Sequence, residues 1–214
     1  GVEASSVSAW EIAEITRGRT DNITYGIRQG GQPGGAMAIG ITDAEIEKYG
    51  IEYVVGGTHW PLYVPYEREA IIRDFHRQNM HLATHPLVDI VAHPWWWHGH
   101  WAESDGSYRT DPWLSDFRRI PASMHDEFGA ACREHDTKIE INIAAMLCNN
   151  GYPLKFRHQY VEYLAQMKAN GVALSLGSDC HSAYTDIDFE TAEAMLVKVG
   201  IGDKDLWTMP PRRT

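Results

Sequence analysis

Long apolar runs are missing from this 214-residue chain. None approaches the roughly eighteen residues that a bilayer-spanning helix needs, so no membrane span is expected. Basic charge is scarce: Lys and Arg total 19 against 29 Asp and Glu, a formal net charge of −10. No basic patch stands out to neutralise phosphates, which argues against a nucleic-acid partner. Cys132, Cys148 and Cys180 are too few and too scattered for a disulfide framework, and they point to a reducing, cytoplasmic compartment. No cationic stretch leads into an apolar one near the start, so no signal peptide is read. The opening Gly1 in place of Met predicts that the natural N terminus has been removed. Internal repeats and low-complexity tracts are absent as well.

Histidine and tryptophan, by contrast, are plentiful, at 11 and 8 residues. With 43% apolar residues the chain is long enough to bury a core, and a single domain over residues 1–214 is expected. Its softest stretch, QGGQPGG at 29–35, reads as a loop and not as a domain border. Elsewhere β-branched runs alternate with amphipathic helices. Strands are predicted at 51–55 (IEYVV), 87–92 (LVDIVA), 137–143 (TKIEINI) and 172–176 (VALSL), and Gly1-Val2-Glu3 reads as the end of another. Helices are predicted over 66–79, 122–135, 156–170 and 189–199, the last two stopped by Gly171 and Gly200. Thr42-Asp43-Ala44-Glu45 has the form of a capping box opening a further helix that Gly50 ends. Strands alternating with helices at this spacing make the fold class α/β, a parallel sheet or barrel of βα units.

The residues ending the strands are chemically alike. Glu3 ends the first, Gly56 and Gly57 lead the second into His59, and the third runs into His93-Pro94. The fourth carries Glu140 and Asn142, and the fifth ends in Gly177-Ser178-Asp179-Cys180-His181. Parallel barrels gather their functional groups at the C-terminal strand ends. Carboxylates and imidazoles converging there suit zinc, manganese or iron. One histidine alone at a strand end is an ordinary polar residue satisfied by a neighbouring carbonyl, and the repetition is what raises the pattern above that. Glu140 and Asn142 alternate on one strand and so share a face, where Asn142 is placed to position a substrate. His76, His125, His135 and His158 fall on predicted helices and read as surface residues, and His81 and His85 read as loop histidines.

In order and spacing, Glu140-Ile141-Asn142, Gly151-Tyr152-Pro153, Asn170-Gly171-Val172 and Gly177-Ser178-Asp179-Cys180-His181 resemble the late strands of the polymerase and histidinol phosphatase (PHP) superfamily of metal-dependent hydrolases. Val91-Ala92-His93-Pro94, Gly56-Gly57-Thr58-His59 and Gly1-Val2-Glu3 resemble its earlier elements. The resemblance implies a distorted TIM-like (β/α)7 barrel with five βα units visible in this chain, the N-terminal part being absent together with its His-x-His motif. It implies a cytoplasmic metal-dependent hydrolase holding two or three Zn2+, Mn2+ or Fe2+ ions. Glu3, His59, His93, Asp179 and His181 are then the metal ligands, with Glu3, Asp179 and His181 catalytic. A missing N-terminal segment or a companion chain would complete the barrel.

A metal-bound water would be the nucleophile, and a small-molecule phosphoester is the default substrate. Arg157, Lys155, Arg118 and Arg119 are the candidate cations for the phosphate, each also readable as a solvated surface charge. Trp95, Trp96 and Trp97, with His98, follow a proposed ligand directly. They could wall a pocket for a planar substrate, which favours amide, ester or ring C–N hydrolysis as the alternative, or pack the top of the barrel. The expected substrate contacts are Trp95, Trp96, His98, Asn142 and Arg157. A degenerate scaffold serving as an interaction module is the non-enzymatic alternative.

Overall fold

Short β-branched runs flanked by glycine and proline become strands here, and the longer amphipathic stretches between them become helices. The computed structural model describes residues 20–27, 36–62, 64–97, 110–179 and 187–208. In chain order the elements are β1 (Thr20–Ile27), β2 (Ala36–Ile39), α1 (Asp43–Tyr49), β3 (Val54–Gly57), α2 (Arg68–Thr84), β4 (Ile90–Ala92), α3 (Ala122–Glu134), β5 (Lys138–Asn142), α4 (Leu154–Ala169), β6 (Leu174–Gly177) and α5 (Phe189–Lys198). The sheet order is β2-β1-β3-β4-β5-β6. Among the described residues only the β1–β2 pair is antiparallel; β1, β3, β4, β5 and β6 run parallel in sequential order. Helices lead from each of β3, β4 and β5 to the next strand, the connectivity of part of a TIM-like barrel. The fold class is α/β.

Local chemistry accounts for most boundaries. Thr42 and Glu45 form the capping box, with Glu45 N–H donating to Thr42 Oγ1 and Thr42 N–H to Glu45 Oε2. Gly50 closes α1 at φ 62°, where a side chain would be strained. Helix α2 runs five residues past the expected end at 79, because nothing breaks it before Pro86 forces the preceding His85 into extended backbone. His81 therefore sits on a helix and His85 caps it, not in a loop. The β1–β2 pair was not legible as strands. The strand expected at Glu3 and the ligand His181 lie outside the described residues, as do His98 and Cys180.

Alternation along the strands sorts side chains to two faces. Val91, Ile139, Ile141 and Leu174 join Phe75, Leu82, Phe128, Leu164 and Met167 in the large core under the helices. Val55, Ile90 and Ala92 form a small cluster on the opposite, inner face with Tyr53 and Trp207. That inner face also carries Gly57, Glu140, Asn142, Ser175 and Gly177 by the same alternation. Leu206 bridges Leu174 in parallel beyond β6, with Trp207 N–H donating to the Leu174 carbonyl. No helix of the described residues is long and apolar enough to cross a membrane.

The expectation that the helix histidines lie on the surface fails for two of them: His76 is largely buried, its Nε2 2.9 Å from Glu127 Oε2. His125 on α3 is buried, stacked on Phe117 and packed against Tyr163 and Trp95, so it is not a surface residue. Burial, reinforced by nearby His76, holds its imidazole down to about 4. The apolar stripe of α3 wraps round a single polar position, and hydrophobic patterning cannot distinguish that from an exposed one.

Candidate functional site

The inner-face polar residues converge at the C-terminal end of the parallel strands. His59 follows β3 and His93 follows β4, and their rings meet edge to face with centroids 4.9 Å apart. Both rings lean on Gly57, whose missing Cβ would stand 3.0 Å from His59 Cε1 and 3.2 Å from His93 Cε1. A glycine ends β3 because two imidazoles occupy the space above it. The Trp96 ring contacts His59 at 5.3 Å and His93 at 5.2 Å, and Trp60 flanks His59 at 6.0 Å.

Hydrogen bonds constrain the protonation of this pair. His59 Nδ1 lies 3.3 Å from the Gly57 carbonyl, which can only accept, so this nitrogen is the donor. His93 is buried, and its Nδ1 has no hydrogen-bond partner among the described residues. Its backbone N–H donates to Glu140 Oε2 at 3.0 Å, which ties the end of β4 to β5. The same oxygen accepts from Asn142 Nδ2 at 2.9 Å, and Asn142 Oδ1 accepts from Ala145 N–H at 2.8 Å. Asn142 is thus bonded at both ends inside the protein and caps the single π-helical turn Ile143–Leu147. The Glu140 carboxylate lies over Gly177, where any Cβ would overlap it, and lines an inner-face cavity of about 220 Å³ with Tyr53, Ser175 and Trp207.

Three of the four non-glycine residues with positive φ among the described ones follow strand ends at this rim, and the fourth, Asp136, precedes β5. His93, Trp95 and Asp179 have φ of 28°, 68° and 54°, in the region that non-glycine residues avoid. Such outliers persist only where surrounding structure holds them.

Several expected site residues sit elsewhere. Trp95 is wholly buried in the helix-side core, its ring against Trp113 and His125, so it presents no face to the rim. Trp97 is likewise buried, and its backbone is clamped by the Tyr152 hydroxyl, which donates to its carbonyl and accepts from its N–H. Of the three tryptophans only Trp96 touches the histidine pair. Lys155 pairs with Asp116 at 2.8 Å and Arg119 with Asp111 at 3.2 Å, which fits structural roles. Arg118 reaches Glu162 at 4.0 Å on the exposed surface. Arg157 lines a cavity. The signal that singles out Glu140 is tertiary: in sequence it alternates with Asn142, and only Gly177 opposite explains why it fits.

No family model and no curated protein sequence matches the chain. Among solved structures it is similar to a GH10 endoxylanase retrieved from a sugarcane soil metagenome, at 19% identity and TM-score 0.39, covering 74% of this chain and 48% of that one. It is also similar to TsXylA, an intracellular xylanase from Thermoanaerobacterium saccharolyticum, at 15% identity and TM-score 0.37, covering 74% and 53%. The chain spans about half the length of these structures. The expected membership of the PHP superfamily is corrected by these findings: no family model supports it, and the structures that match are of a different kind. Short glycine- and histidine-bearing strand ends are what any parallel barrel uses to build a rim, so they resemble one family without specifying it.

Proposed function

We propose that the chain is a hydrolase acting on a small-molecule phosphoester, with a divalent metal ion, Zn2+ or Mn2+, held at His59 and His93. One observation carries the reading. Two imidazoles meet at the rim, His59 with its Nδ1 turned to the Gly57 carbonyl and His93 with a buried Nδ1 that has no hydrogen-bond partner among the described residues. Buried polar nitrogens are normally satisfied, so this atom fits a coordinating role. Among the described residues no three His, Cys, Asp or Glu side chains form a ligand cluster. Asp179, with Glu3 and His181 outside the described residues, is the expected source of the remaining ligands.

A metal bound there would lower the pKa of a coordinated water enough to make hydroxide near neutral pH. The chain's own part is positional. Glu140 holds the His93 backbone, Gly57 seats both rings, and Trp96 excludes water from one side of the pair. The Trp60 and Trp96 rings beside His59 favour a second reading, hydrolysis of an amide, ester or ring C–N bond in a planar substrate.

Elemental analysis of the purified chain, paired with a panel of phosphomonoesters, amides and lactones in added Mn2+ or Zn2+, tests both. The expected result is bound transition metal and phosphomonoester turnover, with His59→Ala and His93→Ala each losing the metal and at least a hundredfold in rate. Turnover confined to amides or lactones transfers the reading to the second class. Absence of metal and of turnover supports an interaction scaffold instead.

A further inference from the structure

A second cavity, of about 590 Å³, lies where the turn after β5 meets the start of α4 and α5. It is lined by Ala144, Cys148 and Asn150 from the segment after β5, Arg157 from α4, and Ile187, Asp188 and Thr191 around the start of α5. Its two charges are opposite and face one space without pairing: among the described residues no ion pair joins Arg157 to Asp188.

Neither charge has an ion-pair partner among the described residues. Arg157 Nη1 donates to the Leu147 carbonyl at 3.4 Å, a long bond, and its Nε is buried with no partner among the described residues. A guanidinium presents a planar fork of donors that matches a carboxylate, and a buried N–H without an acceptor is costly. Asp188 caps α5: its carboxylate takes a hydrogen bond from the Thr191 side chain, and Oδ1 accepts from Thr191 N–H at 2.9 Å. That bonding holds its carboxyl below the usual range, so it is ionised at neutral pH. Cys148 donates its thiol to the Asp188 carbonyl, and burial pushes that thiol up, so it adds no third charge. Ala144 and Ile187 supply apolar wall between the charged ends.

We propose that this cavity binds a small zwitterion with the chemistry of an α-amino acid, its carboxylate on Arg157 and its ammonium on Asp188. A simple anion would leave the Asp188 carboxylate facing it, and a simple cation would face Arg157; one ligand bearing both groups satisfies both walls. The Ala144–Ile187 side accommodates an aliphatic side chain. The cavity shares no lining residue with the histidine pair, and binding, not turnover, reads it.

Calorimetric titration of the whole chain with the common amino acids, and with acetate and ethylammonium as single-charge probes, tests it. An aliphatic amino acid is expected to bind at least tenfold more tightly than either single-charge probe. Arg157→Gln is expected to weaken that binding about tenfold or more, and Arg157→Lys to recover part of it. Asp188→Asn keeps a capping side chain while removing the charge, and is expected to weaken amino-acid binding without changing the thermal midpoint. Acetate binding as tightly as the amino acid, no amino acid binding at 10-millimolar concentration (about the weakest useful affinity), or affinity unchanged in Arg157→Gln would each overturn the proposal.

Discussion

The Glu140 carboxylate and Gly177 occupy adjoining strands on the inner face, and one exists at the expense of the other's side chain. A methyl group at Gly177 would overlap Glu140 Oε1 and crowd its Cδ and Cγ, so the whole carboxylate end must move, the small cavity beside Trp207 being the space it already lines. Gly177→Ala is therefore expected to cost about 1–3 kcal/mol as overpacking, and to release the His93 N–H from its acceptor. Chemical denaturation measures the first effect and metal content the second. A variant as stable as the parent, with equal metal, contradicts the geometry. The same steric reasoning applies at Gly57, where the two imidazoles take the place of a Cβ.

Helix α2 holds the loop that carries His59. Buried Asp74 accepts from Leu62 N–H at 2.7 Å, from Gln78 Nε2 at 2.8 Å and from Arg77 Nη2 at 2.6 Å. Gln78 Nε2 also donates to the Trp60 carbonyl at 2.9 Å, and Thr58 Oγ1 donates to Asn79 Oδ1 at 2.9 Å. A loop with few apolar anchors is fixed here by side chains from one face of a neighbouring helix, at positions 74, 78 and 79. Asp74→Ala would strand the Leu62 and Gln78 donors in a buried site and is expected to cost about 3 kcal/mol. Thr58→Val, which removes one hydrogen bond at constant shape, is expected to cost about 1 kcal/mol. Urea unfolding midpoints check both, and an Asp74→Ala midpoint equal to the parent's would count against the network. None of these polar residues stands out in the sequence, where α2 reads as an ordinary amphipathic helix with a solvated face.

At the scale of the molecule, stability depends on pH through groups buried without charge. His125 takes up a proton near its ordinary 6.5 in the unfolded chain but only near about 4 in the folded one. The unfolded state therefore binds more protons between these values, and stability falls as pH drops from 6.5 towards 4. The gap corresponds to about 3 kcal/mol, the full loss being reached below 4. Asp116 acts further down: bonds from Lys155, Gln159 and the Arg118 N–H hold its carboxyl near about 2, so its contribution is lost only below the ordinary 3.8. His125→Phe, which keeps an aromatic ring against Phe117 and Tyr163, is expected to flatten the decline of melting temperature between pH 6.5 and 4. An unchanged slope would place the responsible group elsewhere. Cys132, its thiol pushed up to about 12 by burial, is expected to stay unreactive towards thiol reagents in the folded state.

Wherever the controlling interaction spans a few residues, it was readable without coordinates. Thr42 with Glu45, Gly50, Gly171 and Gly200 set helix ends through bonds and backbone angles contained within one turn. The four strands after residue 50 followed from β-branched runs, and the α/β class followed from their alternation with helices. The placement of His59, His93 and Asp179 just beyond strand ends was legible too, because the end of a strand is a local feature. The rest depended on residues far apart in sequence. The β1–β2 pair, the burial of His125 and Trp95, the seat of Glu140 over Gly177 and the unpaired charges of Arg157 and Asp188 each arise between elements. Hydrophobic pattern reports which face of one element is apolar; which neighbour covers that face, and what polar group is trapped beneath it, is settled only when separate elements pack.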